Sequence, residues 1–299
     1  MKFDKEQIKY FIKLIWVLSV IFFISYYFYK KFNVLIKAFE ILTIDKILIS
    51  FLMILIAKVL LALNMQLVLN KYHIILPFKK AFAIYNKTQL AKYIPGLIWQ
   101  FVGRIGIMKE LGVDNRIIRD SLITEVIWIL SSAFLTGGVI LLFFYHSIIF
   151  VYIRKHLWLI WLLLSLLIMI VVVFYFLFEH IKKTFIKIKK LLPSILPLAV
   201  LILIWVFLST SFWVLILPFA NKNLSWLYCM GVYCVAYAIG FITPFAPAGI
   251  GVRESILVFG FSNFFIELPV LVLLVSINRI IYFITEIIVF LPVINEKVY

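Results

Sequence analysis

The chain is written in long apolar runs separated by short basic ones. Runs long enough to cross a bilayer, about 17–25 residues each, extend over Ile12 to Tyr29, Ile47 to Leu69, Ser121 to Tyr145, Leu157 to Phe178, Ile195 to Phe219 and Leu268 to Pro292. Each predicts a spanning helix. Two further apolar stretches are broken from within. Ala81 to Met108 is interrupted by Tyr93-Ile94-Pro95-Gly96, and Trp226 to Phe265 by Thr243-Pro244-Phe245-Ala246-Pro247-Ala248-Gly249-Ile250-Gly251. Proline and glycine at this density stop helices. Both limbs of the first stretch and the second limb of the second are too short to span singly. Each stretch therefore predicts a re-entrant hairpin that enters and leaves on one side. Non-helical backbone at membrane depth survives only where protein or a watery cavity covers it, so the two breaks are where function is sought.

Composition fixes the class. Of 299 residues, 66% are hydrophobic and 14% charged, whereas a soluble domain is roughly 45–50% apolar and about 25% charged. Lipid must be part of this chain's solvent. The charge is strongly basic, with 29 Lys and Arg against 13 Asp and Glu. In a soluble protein that balance would point to nucleic acid. Here the basic residues gather at the ends of apolar runs, where they meet anionic headgroups and set orientation, and no nucleic acid is expected as a partner. Cys229 and Cys234 lie in one apolar stretch without metal or redox spacing and read as small buried residues. The first run follows Lys2, Lys5, Lys9 and Lys13 with no small-residue cleavage site behind it, and reads as a retained anchor.

Orientation tests the hairpins. With the N-terminus cytoplasmic and both broken stretches re-entrant, Lys71, Lys79, Lys80, Lys109, Arg116, Arg119 and the cluster Lys182, Lys183, Lys187, Lys189 and Lys190 fall inside. Lys30, Lys31, Lys37, Lys46, Arg154, Lys155 and Lys222 fall outside, so the bias runs in the expected direction. Both termini are then cytoplasmic, in the cell membrane of a bacterium or archaeon. The two hairpins enter from opposite sides, and their breaks look alike: Pro95-Gly96 leads to Gly103-Arg104, and Pro247-Ala248-Gly249 to Gly251-Val252-Arg253. Such paired interruptions point to inverted repeats with a site between them. The predicted fold is an all-α integral membrane bundle, one transmembrane domain over residues 1–299, with inverted repeats over 47–145 and 195–292.

The polar residues inside these runs are the candidate chemistry. Arg253-Glu254 opens a helix after the turn containing Gly249 and Gly251, where backbone can approach a ligand and helix N–H groups favour anions. Arginine adds a planar fork suited to phosphate. The competing reading is an internal ion pair that only locks the turn. Arg104 holds the corresponding place after the first break, with Gln100 one turn before it and Lys92 ahead of the break; a snorkelling interfacial arginine is the alternative. Asn278, Arg279, Tyr282 and Glu286 mark the last span, the last three on one face. Arg279 and Glu286 lie nearly two turns apart, so each is expected to find a partner on another helix. Lys58 lies mid-span, whereas Glu125, in the first turns of its span, reads as interfacial. A cavity lined by Lys58, Arg104, Arg253 and Arg279, balanced by Glu125, Glu254 and Glu286, would suit an anionic headgroup. Tyr93 reads as packing. His73, His146, His156 and His180 lack metal-ligand spacing, and Asn86-Lys87-Thr88 and Asn223-Leu224-Ser225 match the short glycosylation pattern only. There is no P-loop, dinucleotide fingerprint, nucleophile elbow or Asp-rich loop, so no cofactor and no metal is expected.

Tyr93-Ile94-Pro95-Gly96 with Gly103-Arg104, and Pro247-Ala248-Gly249-Ile250-Gly251-Val252-Arg253-Glu254, resemble the two signature segments of the lysylphosphatidylglycerol synthase transmembrane region. That family includes the flippase domain of the multiple peptide resistance factor and stand-alone membrane proteins of about this size. The resemblance covers nearly the whole chain. It implies two oppositely oriented re-entrant helix pairs and translocation of an anionic or aminoacylated phospholipid, or of a polyprenyl-phosphate-linked sugar. It does not carry over lipid synthesis, because the chain stops at Tyr299 without the soluble transferase domain. The family pattern often reads Pro-Gly-Gly-Ile-Gly, and here Ala248 stands for one glycine.

Three readings follow. The first is a non-enzymatic lipid translocase whose partners are membrane lipids with anionic headgroups. The second is a membrane-embedded transferase, with Glu125 or Glu254 as its base. The third is a non-transporting partner of envelope-biosynthesis enzymes, whose polar intramembrane residues could be neutralised without loss. Without a GxxxG pair the oligomeric state stays open.

Overall fold

The computed structural model describes residues 40–94, 98–146, 193–220, 224–243, 246–265 and 267–296, together with residues 18, 19, 22, 26 and 36. The spans expected at Ile12 to Tyr29 and Leu157 to Phe178, and the lysine cluster after Phe178, lie outside the described residues, as do Pro95-Gly96 and Pro244-Phe245.

Every described element is helical. Four helices are long and apolar enough to cross a membrane, and they coincide with four of the predicted spans: α1 (Ile44–Lys71), α4 (Asn115–Phe144), α5 (Ile195–Ile216, extended by a 3-10 turn to Phe219) and α8 (Leu268–Phe290). The 28 residues of α1 rise about 42 Å, more than the roughly 30 Å hydrocarbon core. One face of α1 buries Ile54, Ala57, Leu61, Met65 and Val68, while Ile44, Leu48, Leu52, Ile56 and Val59 form an exposed stripe at helical spacing. An apolar exposed stripe opposite an apolar core is what a helix with lipid on one side requires.

The two broken stretches fold as short helices on either side of their breaks. α2 (Phe78–Gln89) runs into a 3-10 turn, Leu90–Tyr93, and the chain resumes as α3 (Trp99–Glu110). α6 (Trp226–Ile242) is followed by a turn at Pro247–Gly249 and α7 (Val252–Phe261). At 12, 12 and 10 residues, α2, α3 and α7 rise about 15–18 Å, too little to cross alone. Ala248 carries the positive φ of 51° that the glycine of the resembling pattern would adopt freely, flanked by Gly249 and Gly251 with φ of 72° and 86°. Gly249 is required for a second reason: a Cβ there would lie 2.8 Å from the Gly240 carbonyl of α6.

The packing is matched across the chain. α1 lies along α5 in the most extensive helix contact. α1–α2, α2–α3 and α3–α4 have counterparts in α5–α6, α6–α7 and α7–α8. The crossed pairs match as well: α1–α8 with α5–α4, α2–α8 with α6–α4, and α1–α4 with α5–α8. The two turns meet each other, Leu90–Tyr93 against Pro247–Gly249. α4 and α6 approach closely where Gly137 faces the backbone of Gly231. Cys229 and Cys234 are free thiols fully enclosed in this core, as their apolar setting predicts.

Candidate functional site

Where the two turns meet, the bundle holds a partly open cavity of about 200 Å³. Its polar lining comes from both broken stretches and from α4 and α8: Lys92, Gln100, Arg104, Glu125, Arg253 and Arg279, with Tyr85, Tyr237 and Tyr282 between them. Gly240, Ala248 and Gly249 bring bare backbone to its wall. Of the residues singled out in the sequence, Arg104, Glu125, Arg253, Arg279, Tyr282 and Gly249 line this space. Lys58, Glu286, Glu254 and Gly251 stand behind it and hold the lining in place.

Arg104 is not a snorkelling residue. It is 1% exposed, its Nη1 bonds both oxygens of Glu125 at 2.7 and 2.6 Å, its Nε donates to Thr88 Oγ1 at 3.2 Å, and its guanidinium lies 4.8 Å from the Tyr85 ring. Glu125 is likewise enclosed by protein, at 4% exposure. The helix begins earlier than the apolar run suggests: Asp114 caps α4 through the Arg116 N–H at 2.7 Å, so Glu125 already stands in the third turn.

Arg279 and Glu286 each find a partner on another element, as their spacing requires. Glu286 accepts from Lys58 of α1 and from Lys92 of the first turn. Arg279 donates to the Ala248 carbonyl at 2.6 Å and lies 3.6 Å from Glu254. Glu254 also accepts the Gly251 N–H at 2.7 Å, so its carboxylate caps α7 and braces Arg279. Arg253 does not pair with its neighbour Glu254. It donates to the Tyr233 hydroxyl, with its guanidinium 4.5 Å from the Tyr233 ring and 5.5 Å from those of Tyr237 and Tyr282.

Tyr282 is the hub of these charges. Its ring lies 3.7 Å from Lys58 Nζ, 5.0 Å from Lys92 Nζ, and 5.5 and 5.9 Å from the guanidinium carbons of Arg253 and Arg279. An aromatic face attracts cations without cancelling their charge, so the ring gathers four positive groups at one place. Tyr93 packs edge-on against Phe283, and its hydroxyl has no hydrogen-bond partner among the described residues. Tyr85, Tyr233 and Tyr237 are not among the residues singled out in the sequence. Their signal is spacing: Tyr233 and Tyr237 lie one turn apart on the face of α6 that meets Arg253.

His73 and His146 are exposed, and no group of metal-binding residues forms among the described residues. Asn86 is buried in α2. No family model matches the chain, and no curated protein matches it in sequence. Its functional reading rests on this cavity and on the resemblance of the two motifs.

Proposed function

We propose that the chain is a membrane lipid translocase that receives an anionic headgroup in the cavity between its two breaks. The observation that carries the reading is the lining itself: four cations, Lys92, Arg104, Arg253 and Arg279, face one carboxylate, Glu125, in a space walled by both turns. Charges this deep in a bilayer protein are costly and mark substrate paths. The acyl chains stay in lipid while the headgroup passes through the polar space.

In this reading the broken stretches are re-entrant hairpins of opposite orientation, within inverted repeats over 47–145 and 195–292. The matched helix pairings and the meeting of the two turns support that arrangement, as does the brevity of α2, α3 and α7. A pair of repeats rocking about a central site would expose it to either side in turn. The motifs' resemblance to the lysylphosphatidylglycerol synthase transmembrane region points the same way. The transferase reading draws less support, because its two candidate bases are engaged: Glu125 by Arg104, Glu254 by Gly251 and Arg279.

Scrambling of fluorescent lipids in proteoliposomes tests the proposal, with wild type beside Arg253→Ala and Arg279→Ala. Movement of an anionic lipid by wild type and its loss in both folded variants is the expected result. No movement of any lipid by folded wild type would reject translocation in favour of the transferase or assembly readings.

A further inference from the structure

The balance of charge around the cavity specifies more than an anion. Three of the four lining cations meet a carboxylate: Lys92 meets Glu286, Arg104 meets Glu125 and Arg279 meets Glu254. Arg253 has none within salt-bridge distance among the described residues; a neutral tyrosine hydroxyl and ring faces surround it. Glu286 is shared, since Lys58 holds the same oxygen that Lys92 does, so one carboxylate serves two ammonium groups. The cluster thus sets Lys58, Lys92, Arg104, Arg253 and Arg279 against Glu125, Glu254 and Glu286, and two positive charges remain unmatched. Uncompensated charge away from water is unfavourable until a ligand supplies the counter-charge.

A second space adjoins the first. An open groove of about 480 Å³ runs between α3 and α4, walled by Ile105, Ile118, Leu122 and Ile127 and carrying Lys109 and Arg119. Phe101 and Val126 line both the groove and the cavity, so the two spaces lie against the same pair of side chains. Its wall residues Ile123 and Ile127 are exposed on the outside of the bundle.

We infer that the ligand is a lipid whose phosphate headgroup carries two negative charges, a phosphomonoester or a diphosphate esterified at both ends, with its hydrocarbon chain in the α3–α4 groove. This rests on the translocase reading and narrows it. A phosphodiester headgroup brings one negative charge and leaves one cation unmatched. An aminoacylated headgroup brings ammonium groups into a cluster that already has an excess of them. The phosphate oxygens lie towards Arg253, Arg279 and Lys92, and the chain leaves past Phe101 and Val126. Free phosphate shares the headgroup chemistry but has nothing to place in the groove.

The test is binding to the full chain in nanodiscs of neutral lipid, above about pH 7, where a phosphomonoester carries close to two charges. The probes are phosphatidic acid, phosphatidylglycerol and inorganic diphosphate. Phosphatidic acid is expected to bind at least about tenfold more tightly than phosphatidylglycerol, a difference of about 1.4 kcal/mol. Arg253→Gln should reduce that preference to about twofold or less, and Arg253→Lys, which keeps the positive charge, should retain more of it than Arg253→Gln. Ile127→Trp, which fills the groove from its exposed wall, should weaken phosphatidic acid about tenfold and leave diphosphate unchanged. Equal affinity for the two lipids in wild type would overturn the two-charge assignment. Unchanged lipid binding by Ile127→Trp would overturn the groove. If lipids are scrambled while either result holds, translocation survives and this inference does not.

Discussion

Glu286 holds Lys58 and Lys92 at once, and both it and Lys58 are 1% exposed. Glu286→Gln keeps the shape and one hydrogen-bond acceptor but removes the only carboxylate that either lysine meets in a salt bridge among the described residues. Removing one partner of a buried ion pair costs about 3–5 kcal/mol, because a charge is left without compensation. Hydrogen bonds between membrane helices average only about 0.6 kcal/mol, so the charge, and not the lost hydrogen bond, should dominate. Lys92 lines the cavity and can recover hydration there, whereas Lys58 cannot, which places the expected loss near 3 kcal/mol. The assay is unfolding in detergent for wild type, Glu286→Gln, Lys58→Met and the double variant. Lys58→Met with Glu286→Gln removes both charges, and it should recover about 2 kcal/mol relative to the sum of the single changes. Wild-type stability in Glu286→Gln, or additive losses in the cycle, would show that Glu286 does not compensate the two lysines.

Three further outcomes follow from local geometry. Gly137→Val should destabilise by about 1–3 kcal/mol, because its Cβ would lie 2.9 Å from the Gly231 carbonyl oxygen and from Val235. Gly138→Ala, which meets nothing within 4 Å, is the control and should not lower the melting temperature. Ala248→Gly should raise stability by about 0.5 kcal/mol, relief of the positive φ outweighing the greater freedom of the unfolded chain; a lower melting temperature would contradict this. Arg104→Lys should lower stability by about 1–2 kcal/mol in the same assay, since lysine cannot bridge Glu125 and Thr88 together.

The long helices were legible because a spanning run needs only length and hydropathy, and Ile195 to Phe219 agrees with the prediction at both ends. Both breaks were legible because proline and glycine act locally. What the sequence hid is pairing at a distance. Lys58 and Glu286 are 228 positions apart, and no periodicity connects them. Hydropathy starts the span of Glu125 at Ser121, whereas Asp114 caps the helix about two turns earlier. The face shared by Arg279, Tyr282 and Glu286 was readable from helical spacing, but the tyrosines that complete the cage round Arg253 were not, since an aromatic in an apolar helix looks alike whether it meets lipid, core or guanidinium. Three of the four cavity cations were proposed as headgroup ligands from sequence; Lys92 was noted only for its place before the break.

The central claim is that one cationic cavity is the station through which a headgroup crosses. Gln100→Cys places a thiol on the cavity wall, and the native Cys229 and Cys234 are too enclosed to compete for a reagent. The measurement is its reaction with a membrane-impermeant thiol reagent applied to either side of oriented proteoliposomes, with and without phosphatidic acid. Reaction from both sides, slowed by the lipid from both, is the expected result. Reaction from one side alone, or at a rate the lipid does not change, would contradict it.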